Sequence, residues 1–116
     1  MEGFRHKSRV LDDHCAAVGR DPGTLRGSLM IPFVIGKDEA AVQRRIEAHV
    51  TLFPSLPKTL ADWRAAGFIG GPPSQVVDQL EAFEEAGVAR FMLQHNDLDD
   101  LASLELLAAE VLPHFR

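Results

Sequence analysis

Four polar residues, Gln94 to Asp97, follow a short apolar segment and carry the side chains best suited to chemistry. His95 and Asp97 could act as an acid–base pair in which the carboxylate orients the imidazole, because imidazole titrates near neutral pH. The alternative is a polar loop before a helix, in which Asp97, Asp99 or Asp100 caps the helix or complements its dipole. The spacing is compatible with both interpretations.

Two other kinds of site lack the residues that they need. Gly70 and Gly71 precede a predicted helix, as in a phosphate-binding loop, but Pro72 and Pro73 remove two N–H donors, and no dinucleotide or P-loop pattern is present. This segment is therefore predicted to be a structural turn.

The five histidines never occur in a spacing such as His-x-x-x-His, and there is one cysteine, so no metal site is expected.

Two further residues are predicted to be structural. Cys15 lies in a helical pattern and is interpreted as a small buried hydrophobic residue rather than a reactive thiol. Trp63 is expected in the core or at an interface rather than against a cofactor. Neither residue is included in the candidate site.

Composition excludes several classes of partner. The net charge is -5 and the 12 basic residues are scattered, so no nucleic-acid surface is expected. The longest apolar run, Ser28 to Ile35, is far shorter than the roughly 20 residues that cross a bilayer. A single cysteine cannot form an internal disulfide, which fits a reducing cytoplasm. The 116 residues are expected to form a single domain over positions 1–116.

The elements that must position the polar residues alternate between helix and strand. Apolar residues at helical spacing predict helices over about Phe4–Val18, Asp38–Phe53, Thr59–Gly67, Pro73–Ala86 and Asp100–Leu112. Two apolar segments, Ser28–Gly36 and Val88–Gln94, are predicted strands that are buried on both faces, although Pro32 would remove a donor from the first. Gly67–Pro73 is predicted to be irregular backbone.

The predicted sheet has too few strands. Strands that alternate with helices pair in parallel, so the fold class is α/β. Two strands alone make a poor sheet, because three or more are normally needed for stability. We therefore expect exposed strand edges to pair with a second copy, as a homodimer.

The segment from Gly71 to Gln94 resembles the C-terminal part of the luciferase-like monooxygenase family. "FVIGKDEAAVQRRI" resembles the strand and helix that precede it in that family, and "RVLDDHCAAVGRDPGTL" resembles the helix and turn before them. Pro72 departs from the pattern, because the family usually has Thr or Ser there. The matching residues are Gly71, Pro73, Val76, Val77, Leu80, Ala86, Gly87, Val88, Phe91, Leu93 and Gln94.

The resemblance implies part of an eight-stranded β/α barrel, since complete barrels typically need about 250 residues. The chain would supply two parallel βα units, the last two strands, with extra helices, and dimerisation would complete the fold. The chemistry of a barrel lies at the carboxyl ends of its strands. After the first predicted strand, this rule selects Gly36–Asp38. After the second, it selects Gln94, His95 and Asn96 as substrate or cofactor contacts. His95 and Asp97 are the catalytic candidates.

The resemblance also implies an activity for the complete barrel. Its cofactor would be FMN or a deazaflavin coenzyme, held largely by segments that do not match this chain, so we expect the chain alone to bind neither. We expect the chain to be a C-terminal fragment of a flavin- or deazaflavin-dependent oxidoreductase or monooxygenase. Alone, the fragment is not expected to be catalytic. A small-molecule substrate would bind only when the barrel is completed. The alternative is a small α/β self-assembling or binding module without enzymatic activity.

Overall fold

Three parallel strands with helices packed around them form the fold, in a computed structural model that describes residues 1–115. The strands are β1 (Gly27–Ile35), β2 (Ile69–Gly71) and β3 (Val88–Gln94). The helices are α1 (Glu2–Val18), α2 (Glu39–Leu52), α3 (Leu60–Ala65), α4 (Pro73–Glu85) and α5 (Leu101–Glu110), and Pro22–Thr24 and Leu112–Phe115 form short 3-10 turns. Within these residues, no helix is both long and apolar enough to cross a membrane.

The helix ends follow from local sequence signals. Gly19 ends α1 with a positive φ of 72°, which glycine adopts at little cost. Asp38, Thr59 and Asp100 cap α2, α3 and α5, each accepting a hydrogen bond from an N–H three residues further on. α4 begins after Pro72 without a side-chain cap. These signals explain why the predicted helices have nearly the observed bounds.

The sheet has the order β2-β1-β3, and both pairings are parallel. The prediction that Gly67–Pro73 is irregular was wrong for Ile69–Gly71, which form β2 and pair with Phe33–Ile35. The predicted count of two strands was therefore also wrong. β1 lies between two partners and has the neighbours that the sequence did not reveal.

Pro32 lies where β1 changes partner. β3 pairs with β1 from Gly27 to Pro32, and β2 pairs with it only from Phe33 onward. At Pro32, therefore, β1 has a neighbour on one side, and the missing N–H removes no bond to a second strand.

The sheet has a different core on each face. Ile31, Phe33 and Ile35 of β1 pack against α4 and α5, whereas Val34 packs on the other face against α2 and α3 around Trp63. The prediction that both strands are buried on two faces was wrong for β3. Val88 at its start is buried, but Arg90, Met92 and Gln94, which follow at every second position, are exposed. Their face is open because the core that α2 and α3 form around Trp63 includes no residue of β3. Cys15 and Trp63 are buried, as predicted.

Candidate functional site

The carboxyl ends of β1 and β3 lie at one edge of the sheet, since the two strands are parallel neighbours. The segment after β1 leads into α2, and the segment after β3 leads into α5. Asp38, which was selected from the first segment, caps α2 through a 2.8 Å hydrogen bond from the N–H of Ala41. Its carboxylate therefore has a structural role.

His95 is held by the backbone of the next turn. Its Nε2 lies 2.9 Å from the carbonyl oxygen of Asp100, and its ring centroid lies 5.7 Å from that of Phe33. A carbonyl can only accept, so Nε2 carries the proton and the Nδ1 of a neutral His95 is an acceptor. Asp97 instead accepts a hydrogen bond from the N–H of Asp99. The direct hydrogen bond that orients His95 thus comes from Asp100 and not from Asp97.

His49 on α2 joins this cluster and was not predicted as a site residue. Its ring lies 6.2 Å from that of His95 and 6.0 Å from that of Trp63, measured between centroids. The side chain is 1% exposed, and its Nδ1 is buried with no hydrogen-bond partner among the described residues. Burial lowers the pKa of His49, as does the neighbouring His95, while Asp97 and Asp100 oppose this effect. His49 is therefore a neutral, partly unsatisfied imidazole at the strand ends.

Arg45, one turn before His49, ties three elements together. Its Nη1 donates to the carbonyl of Ile35 at the end of β1, at 2.7 Å, and its Nε lies 3.2 Å from a carboxylate oxygen of Asp100. Asp100 also accepts from the N–H and the hydroxyl of Ser103. Burial alone would raise the pKa of Asp100, but the bonds from Ser103 and the charges of Arg45 and His95 together lower it. An ionised Asp100 fixes the loop that carries His95.

Gln94 and Asn96, the other two predicted substrate or cofactor contacts, lie outside the hydrogen bonds that join His95, Asp100 and Arg45. Gln94 lies on the open face of the sheet, in register with Pro32, and Asn96 is half-buried in the loop. The structure therefore brings His95, Asp97 and Asp100 together with Arg45 and His49. Local sequence could not reveal His49, because it lies 46 positions before His95 and meets it only through the fold.

The cluster is separate from a large groove elsewhere in the molecule. That groove, of about 620 Å³, lies between α1 and the amino half of β1, with Phe4, Lys7 and Met30 among its lining residues. It opens at the other end of the strands. Chemistry is better placed at the carboxyl ends, where titratable groups converge. Among residues 1–115, no group of three or more His, Cys, Asp or Glu side chains is placed to hold a metal ion.

The fold is similar to that of a solved enzyme. This is the coenzyme F420 dependent tetrahydromethanopterin reductase from Methanopyrus kandleri, at a TM-score of 0.68 and 20% identity. The likeness is one of fold, an arrangement of parallel strands and helices that matches part of that enzyme. The similarity covers 97% of this chain and 42% of the reductase chain, so the chain spans less than half of that enzyme.

The comparison confirms the predicted fold class, an α/β arrangement of parallel strands and helices that matches part of a barrel. The two strands predicted from sequence, β1 and β3, are parallel neighbours, as consecutive barrel strands are. No protein-family model and no curated protein sequence matches the chain.

The residues at the strand ends fit only part of a deazaflavin or flavin. Imidazole and amide groups of His95 and Asn96 suit the polar edge of a ring. Asp97, Asp99 and Asp100 would repel a phosphate, and α5, which begins there, is already capped by Asp100. The donor set therefore fits contact with the ring but not with the anionic part of the coenzyme.

Proposed function

We propose that this chain forms the C-terminal part of a luciferase-like oxidoreductase barrel that uses a deazaflavin coenzyme. The observation that carries the proposal is the fold similarity to the F420 dependent reductase over 97% of the chain. The polar cluster at the carboxyl ends of β1 and β3 supports it, because barrel enzymes place their chemistry at that end. FMN is the second coenzyme compatible with this kind of barrel.

In this proposal the chain supplies one wall of the site. A bound deazaflavin would supply hydride chemistry, and FMN would supply oxygen activation as well. His95, held through its Nε2 by Asp100, would present Nδ1 as a proton acceptor, and Gln94 and Asn96 would contact substrate or ring. Asp97 would contribute its charge to the histidine pair. The phosphate contacts would come from other barrel segments, so the chain alone would not turn over substrate.

An NMR titration tests the proposal on the chain itself. Coenzyme F420 is added to the ¹⁵N-labelled protein, and FMN is added in a parallel series. The sequence alone led us to expect no coenzyme binding by this chain, but the polar groups at the strand ends lead us to expect a weak contact with the ring, with Kd on the order of 1 mM. The shift changes should be confined to residues 36–38 and 94–97. His95→Gln should weaken these changes, whereas His114→Gln, at an exposed site in the 3-10 turn after α5, should leave them unchanged.

Three outcomes contradict the proposal. Binding of F420 or FMN at micromolar Kd would show a complete site in this chain. Shift changes at the groove beside α1 alone would place the ligand elsewhere. No shift change at any residue would mean that the strand ends do not contact the coenzyme.

A further inference from the structure

The segment that carries His95 lies beyond the paired part of the sheet. β3 pairs with β1 only as far as Gln94, which lies in register with Pro32. β1 continues to Ile35, but within residues 1–115 its last three residues pair only with β2, on the opposite side. Contacts other than strand pairing must therefore fix the position of His95, the first residue after β3.

Arg45 supplies such a contact by bridging the end of β1 to the start of α5. Its Nη1 donates to the carbonyl of Ile35 at 2.7 Å, and its Nε lies 3.2 Å from a carboxylate oxygen of Asp100. The side chains of Arg45 and Asp100 are 24% and 16% exposed. This ion pair is therefore partly shielded from solvent, and charge-assisted bonds of this kind hold their partners more firmly than exposed pairs do.

Asp100 transmits this constraint to His95. Its carboxylate is bound by Arg45, while its backbone carbonyl oxygen lies 2.9 Å from the Nε2 of His95. Anchoring the carboxylate limits the positions that the carbonyl can take, because both belong to one residue. The bond that one ring nitrogen of a histidine makes decides which nitrogen carries the proton. A fixed carbonyl, which can only accept, keeps that proton on Nε2 and leaves Nδ1 free.

We propose that Arg45 is a positioning residue for His95, which it holds through Asp100 in the tautomer with the proton on Nε2. This deepens the proposed function and rests on it, since there the Nδ1 of His95 is the proton acceptor. An unanchored neutral imidazole exchanges between its two tautomers, and in one of them Nδ1 is protonated and cannot accept. In this role Arg45 acts through geometry alone and need touch neither coenzyme nor substrate.

Ser103 offers a competing explanation for the position of Asp100. Its N–H and its hydroxyl also bind the Asp100 carboxylate, which caps α5. This cap is internal to the start of α5, however, and moves with it. The bonds from Arg45 connect the same carboxylate to α2 and to the end of β1. Arg45 therefore fixes where the Asp100 carbonyl lies relative to the sheet, which the cap alone does not do.

Side-chain NMR of the full ¹⁵N-labelled chain at pH 8, without coenzyme, tests the proposal. In the wild type, the ring nitrogen shifts of His95 should show the tautomer protonated on Nε2, and that proton should exchange slowly with water. Arg45→Lys keeps the charge but loses the two-nitrogen geometry. It should populate the second tautomer and raise the exchange rate about tenfold. Arg44→Lys, at an exposed site on the same helix, should change neither.

Asp100→Asn is a second variant that reaches the same bond from its other end. Asparagine caps helices about as well as aspartate, so α5 should stay intact, but the charge that pairs with Arg45 is lost. The exchange rate at His95 should rise as in Arg45→Lys. The double variant should exchange no faster than the more affected single variant, because both changes break one path. The backbone amides of β3 should keep their exchange rates in every variant.

Several results would overturn the proposal. They are an unchanged tautomer and exchange rate at His95 in Arg45→Lys and Asp100→Asn, an equal effect of Arg44→Lys, and a wild-type His95 protonated on Nδ1. Faster exchange throughout β3 would do so as well, because it would show a general loss of structure. The measurement needs no coenzyme, so a failed F420 titration would refute the proposed function without changing this result.

Discussion

His49 and His95 lie with their ring centroids 6.2 Å apart, one on α2 and the other at the end of β3. The two imidazoles lie beside the ion pair of Arg45 and Asp100, which also joins the helix to the loop at the carboxyl edge of the sheet. Within residues 1–115, His95 has a hydrogen-bond partner in the carbonyl of Asp100, whereas the buried Nδ1 of His49 has none. A proton on either ring would repel a proton on the other, so the pair makes this edge sensitive to pH.

The stability of the protein should fall on mild acidification because of His49. Burial, followed by His95, lowers its folded pKa below the ordinary value of 6.5. In this pH range His49 is protonated in the unfolded chain but remains neutral in the folded one. The free energy of unfolding therefore decreases as the pH falls through about 6.5. Urea unfolding between pH 7.5 and pH 5, followed by the fluorescence of the single tryptophan, Trp63, measures this slope.

His49→Leu should remove most of the dependence of the free energy of unfolding on pH. For one proton, this slope is at most about 1.4 kcal/mol per pH unit. His6→Leu, at an exposed site on α1, is the control and should keep it. Asp100 acts in a separate range, because its pKa is lowered from 3.8 and its stabilisation is lost only as the pH falls further. A slope that is equal in wild type and His49→Leu would refute the assignment.

The polar loop could be predicted from sequence, but its partners could not. Asp100 was one of three possible caps for α5, and the structure selects it through its bond to Ser103. His49 lies within the predicted helix Asp38–Phe53, and nothing in that segment indicates an imidazole neighbour. Its contact with His95 depends on how α2 crosses the strand ends, which tertiary packing decides.

Arg45→Lys should destabilise the protein by about 1–3 kcal/mol. The guanidinium bonds the Ile35 carbonyl and the Asp100 carboxylate from two different nitrogens, and a lysine ammonium cannot reproduce that geometry. Arg44→Lys is the matched control, since Arg44 is the adjacent residue and is exposed. Thermal and urea unfolding of the two variants should separate clearly; equal stabilities would show that the Arg45 bonds contribute nothing.

Gln79→Ala should destabilise the protein and uncover the backbone of Gly70 at the outer side of β2. It leaves the N–H of Gly70 without its partner and removes one of two donors from the carbonyl, so we expect a loss of about 1–3 kcal/mol. The variant should also associate more strongly than the wild type, because the uncovered N–H and carbonyl of Gly70 can then pair with another strand. Glu81→Ala, at an exposed site on the same helix, should do neither. Light scattering together with urea unfolding checks both effects.

The contact between Gln79 and Gly70 explains why β2 could not be predicted from the sequence. Ile69, Gly70 and Gly71 carry two glycines in three positions, which disfavours a strand on local propensity. The strand forms because β1 pairs with it on one side and Gln79 on the other. β3, in contrast, has the composition of a strand, and its predicted bounds were confirmed.

Gly36→Ala should destabilise the protein by about 1–3 kcal/mol through overpacking. A Cβ at Gly36 would lie 2.7 Å from the backbone nitrogen of Val42 and 3.0 Å from two atoms of Ala41. These atoms belong to the first turn of α2 and cannot move without shifting the helix that carries Arg45 and His49. Gly36 thus permits α2 to approach the strand end at which the polar cluster forms.

Gly3→Ala is the control for this substitution, because no atom lies within 4 Å of a Cβ at Gly3. Alanine is the better helix former, so this change within α1 should stabilise the protein by up to about 1 kcal/mol. The NMR signals of His49 and His95 should shift in Gly36→Ala and remain in place in Gly3→Ala, because only the first change displaces α2 from the strand ends. Wild-type stability and unshifted histidine signals in Gly36→Ala would show that α2 does not depend on the close approach at Gly36.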